Sequence, residues 1–210
     1  MTVEPPTIDH TYATPIYHGM VSNYESIQYQ IDKRIDSIKF DNKQFTGSPH
    51  WLSEGGFGGD VIKDFGFNAL SKEIYRHVDN YCDMIDADIK RYKKDRKSWI
   101  ALFKKGDYAQ IHNHGDSDIS RVYYYKSGED KNATIHFESP NPYLSTSKLF
   151  KTNMNGTFYD HGGNLVYPST SGIILLFPGW LMHGVHRNTS DEHRMSISCL
   201  LYTSPSPRDS

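Results

Sequence analysis

The sequence predicts a mainly β domain with flanking α-helices. Three observations carry that expectation. Short runs rich in β-branched and aromatic residues fill residues 98–201, two helical periodicities precede them, and a chain of 210 residues suits one domain with a sizeable core.

Taken in order, residues 1–21 read as extended, because Pro5, Pro6 and Pro15 discourage helix. Ser22 with Glu25 three residues on has the form of a capping box. Ile27, Ile31, Ile35 and Ile38 follow at helical spacing, so a helix is expected over 23–39. Residues 41–66 are turn-rich, with Gly55-Gly56 and Gly58-Gly59. No Gly-Lys-Ser/Thr follows, so a flexible surface loop is expected there and not a phosphate loop. Leu70, Ile74, Val78, Tyr81, Ile85, Ile89 and Tyr92 mark one face of a long amphipathic helix over about 68–96. Its basic end (Lys90, Arg91, Lys93, Lys94, Arg96, Lys97) fits cations at a helix C-terminus better than a nucleic-acid patch.

From Ser98 the texture changes. Residues 99–103, 108–114, 120–125, 134–137, 173–177 and 194–201 read as strands, with turn signals at Gly106-Asp107 and Ser127-Gly128. Residues 138–171 form a long polar stretch with Pro140, Pro142, Gly156, Gly162 and Gly163, the composition of a lid or mobile insertion. The expected organisation is a single domain over 1–202, with a helical part at about 22–97 and a β core at about 98–201. Residues 203–210 carry no core pattern and read as a disordered or non-native tail.

Composition narrows the function classes. Hydrophobic residues make up 37% and charged residues 23%, as in a globular chain. A net charge of −2 gives no general attraction to nucleic acid or to anionic membranes, and neither is expected as a partner. No apolar run approaches the roughly 20 residues of a membrane helix, and the first residues lack the form of a signal peptide. Cys82 and Cys199 are the only cysteines, too few for a disulfide framework, so the expected compartment is the cytoplasm. Oligomeric state is open, with a homodimer among the options.

The chemistry concentrates in His112-Asn113-His114, His183 and Arg194. His112 and His114 fall at the end of an expected strand, where alternation turns both side chains to one face. His183 follows the strand 173–177 and its Pro178-Gly179 turn. Arg194 and Ser196 share one face of the last strand. Three imidazoles from two strands can hold a divalent metal and leave coordination positions open. A buried arginine beside them can grip a carboxylate at two points. Together they suggest a metal that binds a small organic acid. His10, His18, His50, His77, His136, His161 and His193 have no partner at ligand spacing and read as polar surface groups. His186, three residues after His183, is left open.

These residues resemble a known family. Gly106–His114 with Ser120–Tyr124 is similar to the first metal strand and its neighbour in the 2-oxoglutarate/Fe(II)-dependent oxygenases. Gly172–Val185, with Asn188, Glu192 and Arg194–Ser198, is similar to that family's second signature, and Thr14–Tyr17 adds a short match near the start. The resemblance is clear over about 98–201. It implies a double-stranded β-helix (jelly-roll, cupin-like) core and a dioxygenase that uses Fe(II), 2-oxoglutarate and O₂, releases succinate and CO₂, and hydroxylates a substrate C–H bond. It implies iron held by His112, the residue at position 114 and His183. Arg194 would take the far carboxylate of 2-oxoglutarate, assisted by Ser196 and by Tyr124.

One departure matters. The wider superfamily uses two histidines and one carboxylate, whereas the middle slot here is His114. Direct ligation by His114 is favoured. Asp116 has the right strand parity but lies about 6–7 Å further along an ideal strand. The departure also leaves open a metal other than iron. The competing classes are a cupin-like three-histidine enzyme that does not use 2-oxoglutarate, and a non-catalytic β-sandwich binding module. Free amino acid, peptide side chain, nucleotide and small metabolite all stay open as substrate.

Overall fold

The structure, a computed structural model, describes residues 14–42, 49–89, 92–127, 133–141 and 164–205. In chain order it contains β1 (Tyr17–Met20), α1 (Tyr24–Ile35), β2 (Phe40–Asp41), β3 (Trp51–Ser53), a short 3₁₀ turn (Gly56–Gly58), α2 (Val61–Asp64) and α3 (Asn68–Met84). There follow β4 (Tyr92–Phe103), β5 (Ala109–His112), β6 (Ile119–Lys126), β7 (Ile135–Glu138), β8 (Asn164–Tyr167), β9 (Ile173–Pro178), β10 (His183–Val185) and β11 (Arg194–Pro205). A seven-stranded sheet runs β1-β9-β6-β11-β4-β3-β2, and a four-stranded sheet runs β5-β10-β7-β8. The pairings are antiparallel. This is the double-stranded β-helix with helices on one side.

Alternation along the central strands explains the layers. In β9, Ile174 and Leu176 face one way, with α1 and α3, while Leu175 and Phe177 face the other way, toward the small sheet. β11 divides in the same manner. Ile197, Cys199 and Leu201 join the helix-side core, and Leu200 joins the core between the sheets. A strand buried on both faces reads as a continuous apolar run, which is what Ile173–Phe177 shows.

Several elements differ from the sequence expectation. Asn23 and not Ser22 caps α1, without a side-chain bond. The Ser22 amide donates instead to Glu73 Oε2 at 2.8 Å. The helix begun at Asn68 stops at Met84, and Asp86 takes a left-handed φ of 56°. From Tyr92 the chain is strand, paired residue by residue with β11 from Tyr92↔Pro205 to Phe103↔Arg194. Twelve cross-strand pairs outweigh a helical apolar period that is itself a weak preference. Arg96 and Lys97 therefore sit on a strand, not at a helix end; Lys90 and Arg91 lie outside the described residues. The same pairing takes Thr203–Pro205 into β11, where the Thr203 amide and hydroxyl both donate to Asp118 Oδ2. Part of the expected tail is therefore sheet. The turn-rich 41–66 segment holds β3, the 3₁₀ turn and α2, so it is only partly loop. Most of the expected lid (142–163) lies outside the described residues, and β8 lies within the stretch.

Candidate metal centre and cosubstrate cleft

His112 and His183 are direct cross-strand partners, because β10 pairs with β5 in the register His183↔His112. Their ring centroids lie 4.4 Å apart. His114 lies two residues past the end of β5, so simple strand alternation does not place it. Its amide donates to the Gly179 carbonyl at 2.8 Å, and its carbonyl accepts from the Ser117 amide at 2.8 Å. These bonds tie the 113–118 loop to the Pro178-Gly179 turn and swing His114 to 5.1 Å from His183 and 5.0 Å from His112. One ligand nitrogen from each of the three lies within 4.8 Å of the others. Asp116 is exposed and stands outside that group.

The hydrogen bonds set the tautomers. A carbonyl oxygen can only accept, so His112 Nδ1 donates to Gln110 O at 2.7 Å and His183 Nδ1 donates to Leu181 O at 2.8 Å. In both rings Nε2 is left as the lone-pair donor a metal needs. Burial also keeps the rings neutral. Desolvation holds His183 down at about 3 and His114 at about 4, helped in each by the His112 ring; it lowers His112 as well, against the pull of the Gln110 carbonyl. A set of neutral nitrogen donors fits a divalent first-row metal.

Arg194, Ser196 and Tyr124 form the other end. Ser196 pairs with Ala101 on β4 and Tyr124 on β6, two residues along β11 from Arg194 and on the same face. The Arg194 guanidinium lies between two aromatic faces, 4.8 Å from Phe103 and 5.0 Å from Tyr124. It is 2% exposed, and its Nε and Nη1 have no hydrogen-bond partner among the described residues; the buried Tyr124 hydroxyl has none there either. Burial lowers the Arg194 pKa and raises that of Tyr124, and each group's proximity partly offsets the other's shift. Buried donors without acceptors are costly, and a carboxylate between them would satisfy all three. The site thus fits a bound dicarboxylate. Asn188 steadies the approach: its Nδ2 donates to Phe103 O and Glu192 O, closing the turn that feeds β11.

The three histidines, Arg194 and Ser196 line one cleft of about 520 Å³, with Tyr124 packed behind Arg194. Along β4 the inward residues are Lys97, Trp99, Ala101 and Phe103; along β11 they are Arg194, Ser196, Ser198, Leu200 and Tyr202. Small side chains thus floor the space between Arg194 and the histidines. His50, Phe57, Lys97 and Trp99 were not singled out as site residues by the sequence. The signal for Trp99 and Lys97 was there, as odd positions in phase with Ala101 and Phe103; the helical reading of 68–96 hid Lys97.

Three histidines expected on the surface are buried instead. His50 stacks on Phe103 at 5.0 Å. His77 accepts from Arg76 at Nε2 and bonds the Tyr17 hydroxyl through Nδ1. His136 stacks on the exposed His186 at 4.3 Å. None of them joins the metal group. His18 and His193 are exposed, as expected, and His10 and His161 lie outside the described residues. Among the described residues no helix is long and apolar enough to cross a membrane.

Comparisons with known proteins bear on this geometry. The chain is similar in structure to EvdO2 from Micromonospora carbonacea var. aurantiaca complexed with 2-oxoglutarate (TM-score 0.59, 11% identity, 97% of each chain covered). It is likewise similar to HygX from Streptomyces hygroscopicus with nickel and 2-oxoglutarate bound (TM-score 0.59, 11% identity, 90% of this chain and 83% of that one). A Pseudomonas putida prolyl-4-hydroxylase matches with a TM-score of 0.54, 10% identity, and 91% and 94% coverage. At such identities the likeness speaks for the fold. No curated protein sequence matches the chain. Residues 97–199, which carry all three histidines and Arg194, match the family described as "Putative 2OG-Fe(II) oxygenase", and the chain belongs to the 2-oxoglutarate/Fe(II)-dependent oxygenases.

Proposed function

We infer that this oxygenase couples the oxidative decarboxylation of 2-oxoglutarate to hydroxylation of a substrate C–H bond, with release of succinate and CO₂. The observation that carries the reading is the meeting of three neutral imidazoles with a buried, unmatched guanidinium in one cleft. His112, His114 and His183 hold Fe(II). Arg194 fixes the far carboxylate of 2-oxoglutarate by paired charge-assisted hydrogen bonds, with Ser196 and the Tyr124 hydroxyl completing the grip. Bound there, iron and 2-oxoglutarate supply the oxygen activation that C–H oxidation requires. The protein positions them and keeps water out. Phe177 and Phe137, with ring centroids 4.8 and 6.1 Å from His183, wall the metal side, and Phe103 walls the Arg194 side.

A three-histidine enzyme that does not use 2-oxoglutarate is favoured by one observation, the lack of a carboxylate in the donor set. The unmatched nitrogens of Arg194 weigh against it. Anaerobic titration with Fe(II) and then 2-oxoglutarate separates the two: the oxygenase develops a visible metal-to-ligand charge-transfer band and, on admission of air, forms succinate. Metal binding with neither band nor succinate would select the alternative. Cys82 and Cys199, both buried free thiols, support a reducing compartment such as the cytoplasm.

A further inference from the structure

The charges lining the cleft do not balance. Its wall carries two fixed cations, Lys97 and Arg194, and one carboxylate, Asp116. Neither cation forms an ion pair with a carboxylate among the described residues. Arg121 does not add to them: its Nη2 donates to Cys199 Sγ at 2.9 Å, on the helix side of the large sheet. Lys97 is exposed and lies over the Tyr202 ring, 5.3 Å from its centroid.

Cosubstrate does not remove the surplus. Three imidazoles cancel none of the charge on Fe²⁺, so the 2-oxoglutarate dianion neutralises the metal and leaves one net positive charge on the wall. A carboxylate in the slot of His114 would have reduced that by one. A cleft with a surplus of one sign of charge concentrates ligands of the opposite sign.

The register says where such a ligand sits. Leu200, the partner of Lys97, is six residues beyond Arg194 on β11, about 20 Å along the strand. A five-carbon diacid anchored at Arg194 covers only the inner part of that length. The outer part is walled by Lys97, Trp99, Phe57 and Tyr202, with Phe57 edge-on to Trp99 at 4.6 Å and Trp99 edge-on to His114 at 6.1 Å.

We propose that the primary substrate is a small organic anion, its charged group held at Lys97 and its apolar body laid along Trp99 and Phe57 so that it reaches the metal beside His114. The proposal rests on the oxygenase reading and narrows its substrate class.

The test uses the anaerobic protein loaded with Fe(II) and saturating 2-oxoglutarate, so that Arg194 is already occupied. Three carboxylates of different body (3-phenylpropionate, indole-3-acetate and octanoate) are titrated against their primary amides and corresponding amines. Perturbation of the charge-transfer band and quenching of tryptophan fluorescence are the readouts. At least one carboxylate should bind about fivefold or more tightly than its amide, and added salt should erode the difference. Lys97→Met should abolish the preference, Lys97→Arg should keep it, and Asp116→Asn should leave it intact or enlarge it. The charge-transfer band itself should be unchanged in all three variants. Failure of every carboxylate to outbind its amide overturns the proposal, as does an amine preference that Asp116→Asn removes, or a carboxylate preference that survives Lys97→Met. Failure of the band to form in the wild-type protein overturns the oxygenase reading instead.

Discussion

Replacing Arg194 by methionine isolates the cosubstrate grip from the metal and from the fold. Methionine keeps an unbranched apolar chain between Phe103 and Tyr124, where the guanidinium now lies 4.8 and 5.0 Å from the two ring centroids. What is lost is a bidentate charged donor whose Nε and Nη1 have no hydrogen-bond partner among the described residues. Two charge-assisted hydrogen bonds at about 1.5–2 kcal/mol each amount to roughly 3–4 kcal/mol, or a loss of about 10²–10³ in 2-oxoglutarate affinity. The sign for stability is opposite. Arg194 is 2% exposed and makes no ion pair with a carboxylate among the described residues, so the cosubstrate-free protein bears the cost of an uncompensated buried cation. Its removal should be neutral or stabilising by about 1–3 kcal/mol. Titration of the charge-transfer band gives the first quantity, calorimetric metal binding the control, and urea melts of metal-free protein the second. A variant that binds 2-oxoglutarate within about threefold of wild type, or that loses metal together with cosubstrate, would refute the assigned role of Arg194.

The remaining expectations concern the metal side. His114→Asp restores a carboxylate to the middle slot. It should retain metal and weaken 2-oxoglutarate by about 3–10-fold, because the dianion then meets one positive charge less; calorimetry with each ligand in turn checks both halves, and tighter 2-oxoglutarate binding would contradict the charge argument. Gly179→Ala would place a Cβ 2.0 Å from the Ser117 carbonyl, so the loop holding His114 must move. Stability should fall by about 1–3 kcal/mol. Metal affinity should fall too, and a Gly179→Ala/His114→Ala double variant should lose no more affinity than His114→Ala alone. Acid should destabilise the metal-free protein. The folded-state pKa values of His183 (about 3) and His114 (about 4) lie below the ordinary 6.5, so the unfolded chain binds protons first. Stability present above pH 6.5 is lost as pH falls toward 3, with a slope near 1.4 kcal/mol per pH unit for each such histidine. Urea melts at pH 7.5, 6 and 5 read it, and a flat profile would count against neutral buried imidazoles. By the same logic, protons should not compete with metal until well below pH 6.5.

How much of this was legible beforehand differs residue by residue. The β-rich half declared itself because β6 and β9 are buried on both faces, and such strands must be apolar nearly throughout. His112 and His183 were visible because they terminate or follow strong strand patterns. Arg194 and Ser196 shared a face by simple alternation. Lys97 was misplaced because its segment carries a helical apolar period, and only the partner strand β11, about 100 residues away in the chain, converts it to sheet. His114 was expected to converge for an incomplete reason. Alternation does not carry it there; the Gly179 carbonyl does, across a turn that only the folded β9–β10 connection brings near.

Local residue patterns, then, determined the class of the chain: which runs are strands, which donors are present, and that no acid occupies the middle position of the histidine motif. Those properties depend on neighbours within a few residues and are written into any stretch of chain. Tertiary structure decided what depends on distant partners: the directly opposed pairing of His112 with His183, the burial that keeps the imidazoles neutral, the unmatched nitrogens of Arg194, and the surplus of positive charge that Lys97 and Arg194 bring to one cleft. Burial and the absence of a counter-charge are properties of a whole packed wall, and no single segment encodes them.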